Sequence, residues 1–206
     1  MTESIGNHNA SAAQDSCIEP DYPAAHSMDT EWFAVDKDGF VAVLYTNEEG
    51  AVPVNYSRMQ EGADDILESI AEATGVTPTE NKWGMVAPES LGLYSYMCEM
   101  GVTPSTEELS EEYLDDTTIV TPYKREAVPE SPLHISQLPK DLQQQLSEIA
   151  FKDTSYKETE WIQPALKMQC EMWQEEYSEA KIVNEKGEMV ALPLEMNFQA
   201  TPRKTD

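Results

Sequence analysis

The sequence predicts an α+β fold: a mostly antiparallel sheet of hairpins with packed helices, in a single domain. Three features predict it. Two are hairpin signals: Lys37-Asp38-Gly39 between WFAVD and FVAVLYT, and Asn184 to Gly187 within KIVNEKGEMVALPLEM. The third is a set of amphipathic helical patterns lying between them.

With 206 residues, 40% hydrophobic and 25% charged, the chain can bury well over half of its unfolded surface in one core. Residues 1–20, rich in Ser, Asn, Ala and Gln without periodicity, read as a disordered N-terminal arm. Residues 21–199 read as the single α+β domain, and 200–206 as a flexible C-terminal tail.

Order is expected to begin at Trp32. The first two strands are apolar at successive positions, as in Phe40, Val41, Ala42, Val43 and Leu44, so both of their faces are expected to be covered. Asn47-Glu48-Glu49-Gly50 then turns the chain into AVPVNY, a third strand that would complete a meander. In GADDILESIAEATG, Asp64 and Asp65 suit the positive end of a helix, Ile66, Leu67, Ile70 and Ala71 form one stripe, and Gly75 closes it.

LGLYSYMCEM from Leu91 reads as a strand. Ser105-Thr106-Glu107-Glu108 is a capping-box pattern opening a second helix to about Leu114. Pro122, Pro129 and Pro132 forbid a regular helix, so this stretch reads as an extended connector or edge strand. Pro139 suits the first turn of a helix bearing Leu142, Leu146 and Ile149 on one side. The spacing of Leu166, Cys170, Trp173 and Tyr177 predicts the longest helix, from Pro164 to about Glu179.

Charge is the feature that departs most from the ordinary. Thirty-nine acidic residues against 13 basic ones leave a formal net charge of -26 and a pI near 4.2. Duplex nucleic acid and anionic membranes would repel such a surface, because Lys and Arg supply most of the affinity for both. A basic protein partner is the natural counterpart, although acidity can also serve solubility or adaptation to salt. No stretch approaches the roughly 18 apolar residues of a membrane span, and the N-terminus lacks the basic and apolar regions of a signal peptide. Cys17, Cys98 and Cys170 are too few and too scattered for a disulfide framework. A cytoplasmic location is therefore expected.

YPAAHSMDTEWFAVDKDGFVAVLYTNEEGAVP, GLYSYM, TPYKREAVPESPL, LPKDL and WIQPALKMQCEMW occur in that order between Tyr22 and Trp173. The chain resembles an uncharacterised group of bacterial proteins carrying these blocks. The resemblance implies a single domain and carries over no functional residue.

Asp36-Lys37-Asp38-Gly39 invites a calcium reading, but placing Gly39 at the sixth position of an EF-hand loop puts Ala34 first and Tyr45 twelfth. The register fails, and a hairpin turn accounts for the segment. Cys98 lies in an aromatic strand and Cys170 on an apolar stripe, which points to core cysteines rather than nucleophiles. No G-x-S-x-G, Walker-type loop, H-E-x-x-H or dinucleotide fingerprint is present, and no motif requires a cofactor or a metal.

Two candidate sites remain. Glu107, Glu108, Glu111, Glu112, Asp115 and Asp116 put six carboxylates into ten residues, with Tyr113 as an aromatic anchor, and suit a partner-binding surface. His26, Asp29 and Glu31 form the only compact mixture of imidazole and carboxylate, which general acid–base chemistry or a partial metal site would need. The first candidate implies an acidic binding protein, of an immunity or inhibitory type, that engages a basic protein. The second implies a small enzyme or metal-dependent hydrolase. The sequence favours the binder and leaves oligomeric state open.

Overall fold

The computed structural model describes residues 30–47, 50–54, 63–82, 84–98, 117–173, 179–191 and 197–199. Among these the fold is α+β, with two helices and mostly antiparallel strand pairing. The largest sheet has five strands: β1 (Glu31–Val35), β2 (Val41–Tyr45), β4 (Tyr94–Cys98), β6 (Tyr123–Ala127) and β7 (Trp161–Ile162), in that spatial order. Between them in sequence lie β3 (Val52–Pro53) and β5 (Thr117–Val120). Beyond them follow β8 (Cys170–Trp173), β9 (Glu179–Val183), β10 (Met189–Val190) and β11 (Asn197–Gln199). Two three-stranded sheets complete the pairing, β10-β9-β5 and β11-β8-β3.

The β1–β2 hairpin forms where Lys37-Asp38-Gly39 predicts it, with Glu31 opposite Tyr45 and Val35 opposite Val41. Asp36 N–H donates to the Phe40 carbonyl at 3.0 Å, and Gly39 takes φ +86°, a conformation that costs glycine little. Successive residues serve opposite faces. Trp32, Ala34, Ala42 and Leu44 enter one core, whereas Phe33, Val35, Val41 and Val43 enter another. Both faces are thus covered, as their uninterrupted apolar sequence predicts.

The second core is closed by two helices, α1 (Ala63–Thr74) and α2 (Lys140–Leu146). α1 buries Ile66, Leu67 and Ile70, half-buries Ala71 and exposes Glu68, Ser69 and Glu72. Burying each large aliphatic side chain contributes roughly 1.5–3 kcal/mol. Gly75 ends α1 at φ +67°, and α2 starts directly after Pro139 and buries Leu142 and Leu146. The α1 stripe matches the sequence reading; for α2, Leu142 and Leu146 do, but the helix ends at Leu146 and Ile149, expected on the same stripe, lies beyond it and packs into the first core.

The first core is aromatic: Trp32, Tyr94, Tyr96, Tyr123, Phe151 and Tyr156 pack together with Ile162 and Cys98. Tyr123 holds it by donating to the Ala51 carbonyl at 2.9 Å while accepting from Trp32 Nε1 at 3.2 Å. A side chain at Gly50 would collide with the Tyr123 hydroxyl, so glycine is required there. Gln163, fully buried, donates through Nε2 to the carbonyls of Val120 and Val183 and so ties β7 to the ends of β5 and β9.

Three expectations are corrected. The third strand of the expected meander does not join β2, whose free edge is taken in parallel by β4; β3 pairs instead with β8, Val52 opposite Glu171. The long helix expected from Pro164 to Glu179 is a 3-10 turn at Pro164–Leu166 followed by strand β8. Cys170 and Met172 alternate into the core there, and β3 and β11 pair with the strand on either side. The proline-containing stretch is extended as expected, but β6 lies inside the sheet between β4 and β7 rather than at its edge. Parallel pairs β2–β4, β5–β9 and β8–β11 accompany the hairpins, so the sheets are not built of hairpins alone. The turn of the β9–β10 hairpin does fall at Asn184 to Gly187, closed by Asn184 N–H on the Glu188 carbonyl at 2.9 Å.

Candidate functional site

The acidic run of Glu107, Glu108, Glu111, Glu112, Tyr113, Asp115 and Asp116 lies outside the described residues, as do His26 and Asp29. Of the sequence-predicted site residues, Glu31 alone is described; it opens β1, half-buried, opposite Tyr45. Burial, then the charges of Glu31 and Glu89, push the Tyr45 phenol well above its ordinary range. Among the described residues no group of three or more His, Cys, Asp and Glu side chains is placed to hold a metal ion.

The described groups with nucleophile or acid–base chemistry are built into the packing. Cys98 and Cys170 are both fully buried in the aromatic core, as their sequence positions predict. The Cys98 sulfur lies 2.8 Å from the Thr121 hydroxyl, and burial, aided by Glu171, pushes the Cys170 thiol far up, away from the reactive thiolate. The His134 imidazole packs over Gly39 and edge-on to Phe40, while Nδ1 accepts from the Ser136 amide. Asp36, in the supposed calcium segment, accepts from the amides of Asp38 and Phe40 through Oδ1 and of Tyr156 through Oδ2. Its carboxylate serves the hairpin turn.

Several basic side chains are engaged by the chain itself. Arg125 donates to the carbonyls of Tyr156, Lys157 and Thr159, the last of which also accepts from the Tyr96 hydroxyl. The Lys124 ammonium lies 5.2 Å from the centre of the Trp161 ring, within cation–π range. Lys37 pairs with Asp38, and Lys167 pairs with Asp153 and Glu185.

The helix-bearing face carries two open grooves. One, of about 450 Å³, lies between the exposed sides of α1 and α2 and is lined by Ser69, Glu72, Ala73, Asp141, Leu142 and Gln145, with Pro139 at its end. The other, of about 760 Å³, runs between the segment after α1 (Val76, Thr79), the 3-10 turn at Pro88–Leu91 and the segment 128–133, which bends at Glu130 and Ser131. Glu89 and Glu130 line it beside Val76 and Val128, which are 39% and 55% exposed. Among the described residues neither groove is lined by a Lys or Arg. A smaller notch of about 180 Å³ by Pro122 and Trp161 has mixed charge, with Glu185 next to Lys186.

The walls of the larger groove are fixed by backbone bonds. Leu133 N–H donates to the Gly92 carbonyl at 2.8 Å, and Val41 N–H to the Leu133 carbonyl at 3.2 Å. Gly92, at φ +81°, allows this approach, since a Cβ there would come within 2.8 Å of the Ser131 carbonyl oxygen. On the opposite wall Ala87 N–H donates to the Thr79 carbonyl and Thr79 N–H to the Ser90 hydroxyl. Sequence reasoning missed this groove. Its one local signal is the pair of prolines flanking Glu130 and Ser131, which bars a regular helix from that wall.

The geometry supplies acid-lined recesses, with the described cysteines and the phenols of Tyr94, Tyr96, Tyr123 and Tyr156 withdrawn into the core. No protein-family model, curated protein or solved structure matches the chain.

Proposed function

We propose that the chain is a non-enzymatic, acidic binding protein of an immunity or inhibitory type, acting in the cytoplasm, that engages a basic protein partner through a carboxylate-rich surface. The observation that supports this reading is the pairing of a net charge of -26 with two grooves lined, among the described residues, by carboxylates and by no Lys or Arg. A surface of one sign attracts its partner over a Debye length of about 8–10 Å, disfavours anionic competitors and gains most from a partner carrying Arg and Lys. In this reading Glu107, Glu108, Glu111, Glu112, Asp115 and Asp116 extend the acidic surface, and Tyr113 supplies an aromatic contact.

Charge reversal tests the proposal. Glu111→Lys, Glu112→Lys, Asp115→Lys and Asp116→Lys, combined in the full chain, are expected to weaken capture of basic proteins by roughly tenfold or more at low salt. Binding indifferent to that reversal counts against the acidic segment as a contact surface.

A further inference from the structure

The two grooves are neighbours on the helix-bearing face: Ala73, which lines one, precedes Thr74, which lines the other, and Pro139 of the first follows Gln137 of the second by two residues. We propose that this pair of grooves, the trough, is the docking site for a basic segment of a protein partner, whose Arg or Lys side chains meet Glu72, Glu89, Glu130 and Asp141 while an apolar side chain rests on Val76 and Val128. The inference rests on the reading of the chain as a binder of basic protein, and locates that binding on described residues.

Two observations select this occupant. The four carboxylates are exposed and share their grooves with no cation among the described residues, so an incoming ammonium or guanidinium relieves like-charge repulsion as well as forming new pairs. Val76 and Val128 are the large apolar side chains left exposed in the larger groove, and covering them gives a basic segment a reason to settle there rather than elsewhere on the acidic surface. The walls are already tied by hydrogen bonds, so docking orders little of the protein.

The test is fluorescence anisotropy with a labelled peptide alternating Arg and Val, and a control peptide with Glu in place of Arg. The full chain is compared with a trough variant carrying Glu72→Lys, Glu89→Lys, Glu130→Lys and Asp141→Lys, and with an off-trough variant carrying Glu126→Lys, Glu148→Lys, Glu158→Lys and Glu160→Lys. Both variants change net charge equally, at exposed positions, and circular dichroism checks that each retains the fold. The expected result is a loss of roughly tenfold or more for the trough variant and of no more than about threefold for the off-trough variant. Val128→Ser, a single exposed change that keeps the test open if the quadruple variant unfolds, is expected to weaken binding by about two- to fivefold. Equal losses from both quadruple variants, or an unchanged affinity in Val128→Ser, overturn the trough as the site and leave the broader reading standing. Failure of the unmodified chain to prefer the Arg peptide over the Glu peptide overturns both.

Discussion

The Asp36 carboxylate reaches 120 residues along the chain to accept the backbone N–H of Tyr156, at 2.8 Å, while its other oxygen accepts the amides of Asp38 and Phe40 at 2.9 Å each. One buried side chain thereby closes the β1–β2 turn and pins it to the loop that carries the aromatic core. Asp36→Ala removes both acceptor oxygens, and with them three hydrogen bonds, and strands a buried amide, so a loss of about 2–4 kcal/mol is expected. Asp36→Asn keeps one oxygen and is expected to cost less. Urea unfolding midpoints check both, and an Asp36→Ala protein as stable as the parent would contradict the account.

Two core tyrosines are expected to respond oppositely to loss of the hydroxyl. The Tyr156 hydroxyl is buried with no hydrogen-bond partner among the described residues, so Tyr156→Phe is expected to be neutral or to stabilise by about 1–2 kcal/mol. Tyr123→Phe removes a donor to Ala51 and an acceptor for Trp32, and is expected to destabilise by about 1–3 kcal/mol. Paired thermal unfolding curves decide, and the same sign for both substitutions would sink the distinction.

Alkali is expected to unfold the domain through its phenols. Burial raises the ionisation of Tyr45, Tyr96, Tyr123 and Tyr156 above the ordinary value of 10.0. Above that pH the unfolded chain gives up these protons while the folded one keeps them, so stability is full below about pH 10 and falls as pH rises beyond it. The slope is about 1.4 kcal/mol per pH unit for each such tyrosine. Ultraviolet difference spectra are expected to show a group of tyrosines ionising only together with unfolding; a smooth titration of all of them in the folded state would contradict the packing.

Gln163 is the junction of two sheets, with both amide hydrogens committed to Val120 and Val183. Gln163→Leu leaves two buried carbonyls without that donor and is expected to cost about 2–3 kcal/mol. Hydrogen exchange is expected to accelerate first in β5 and β9; uniform acceleration across all strands would show that the junction is not local.

Features decided by local chemistry were legible in the sequence. The Lys37-Asp38-Gly39 turn, the α1 stripe ending at Gly75 and the Leu142 and Leu146 pair after Pro139 each follow from spacing and backbone preference within a dozen residues. β8 was not legible, because Cys170 and Trp173 keep helical spacing with Leu166 and Tyr177 while Cys170 and Met172 keep an alternating one, and pairing with β3 and β11 settles the choice. The larger groove was hidden for a related reason. Val76 and Val128 lie far apart in sequence and come to one recess through the Gly92 and Leu133 contact, which no local pattern announces. Of the predicted sites, the acidic run at Glu107 to Asp116 and the His26 and Asp29 pair lie outside the described residues, and Glu31 stands in β1.

The central claim is that this protein's negative charge exists to meet positive charge on another protein. The direct measurement is capture from a cell extract on the immobilised full chain, in parallel with a carboxylate resin of equal charge density, and elution along a salt gradient. The account predicts that the chain retains a small set of basic proteins that the resin does not, released as rising salt shortens the Debye length. Retention of the same proteins by both matrices, or of proteins no more basic than the extract as a whole, would contradict it.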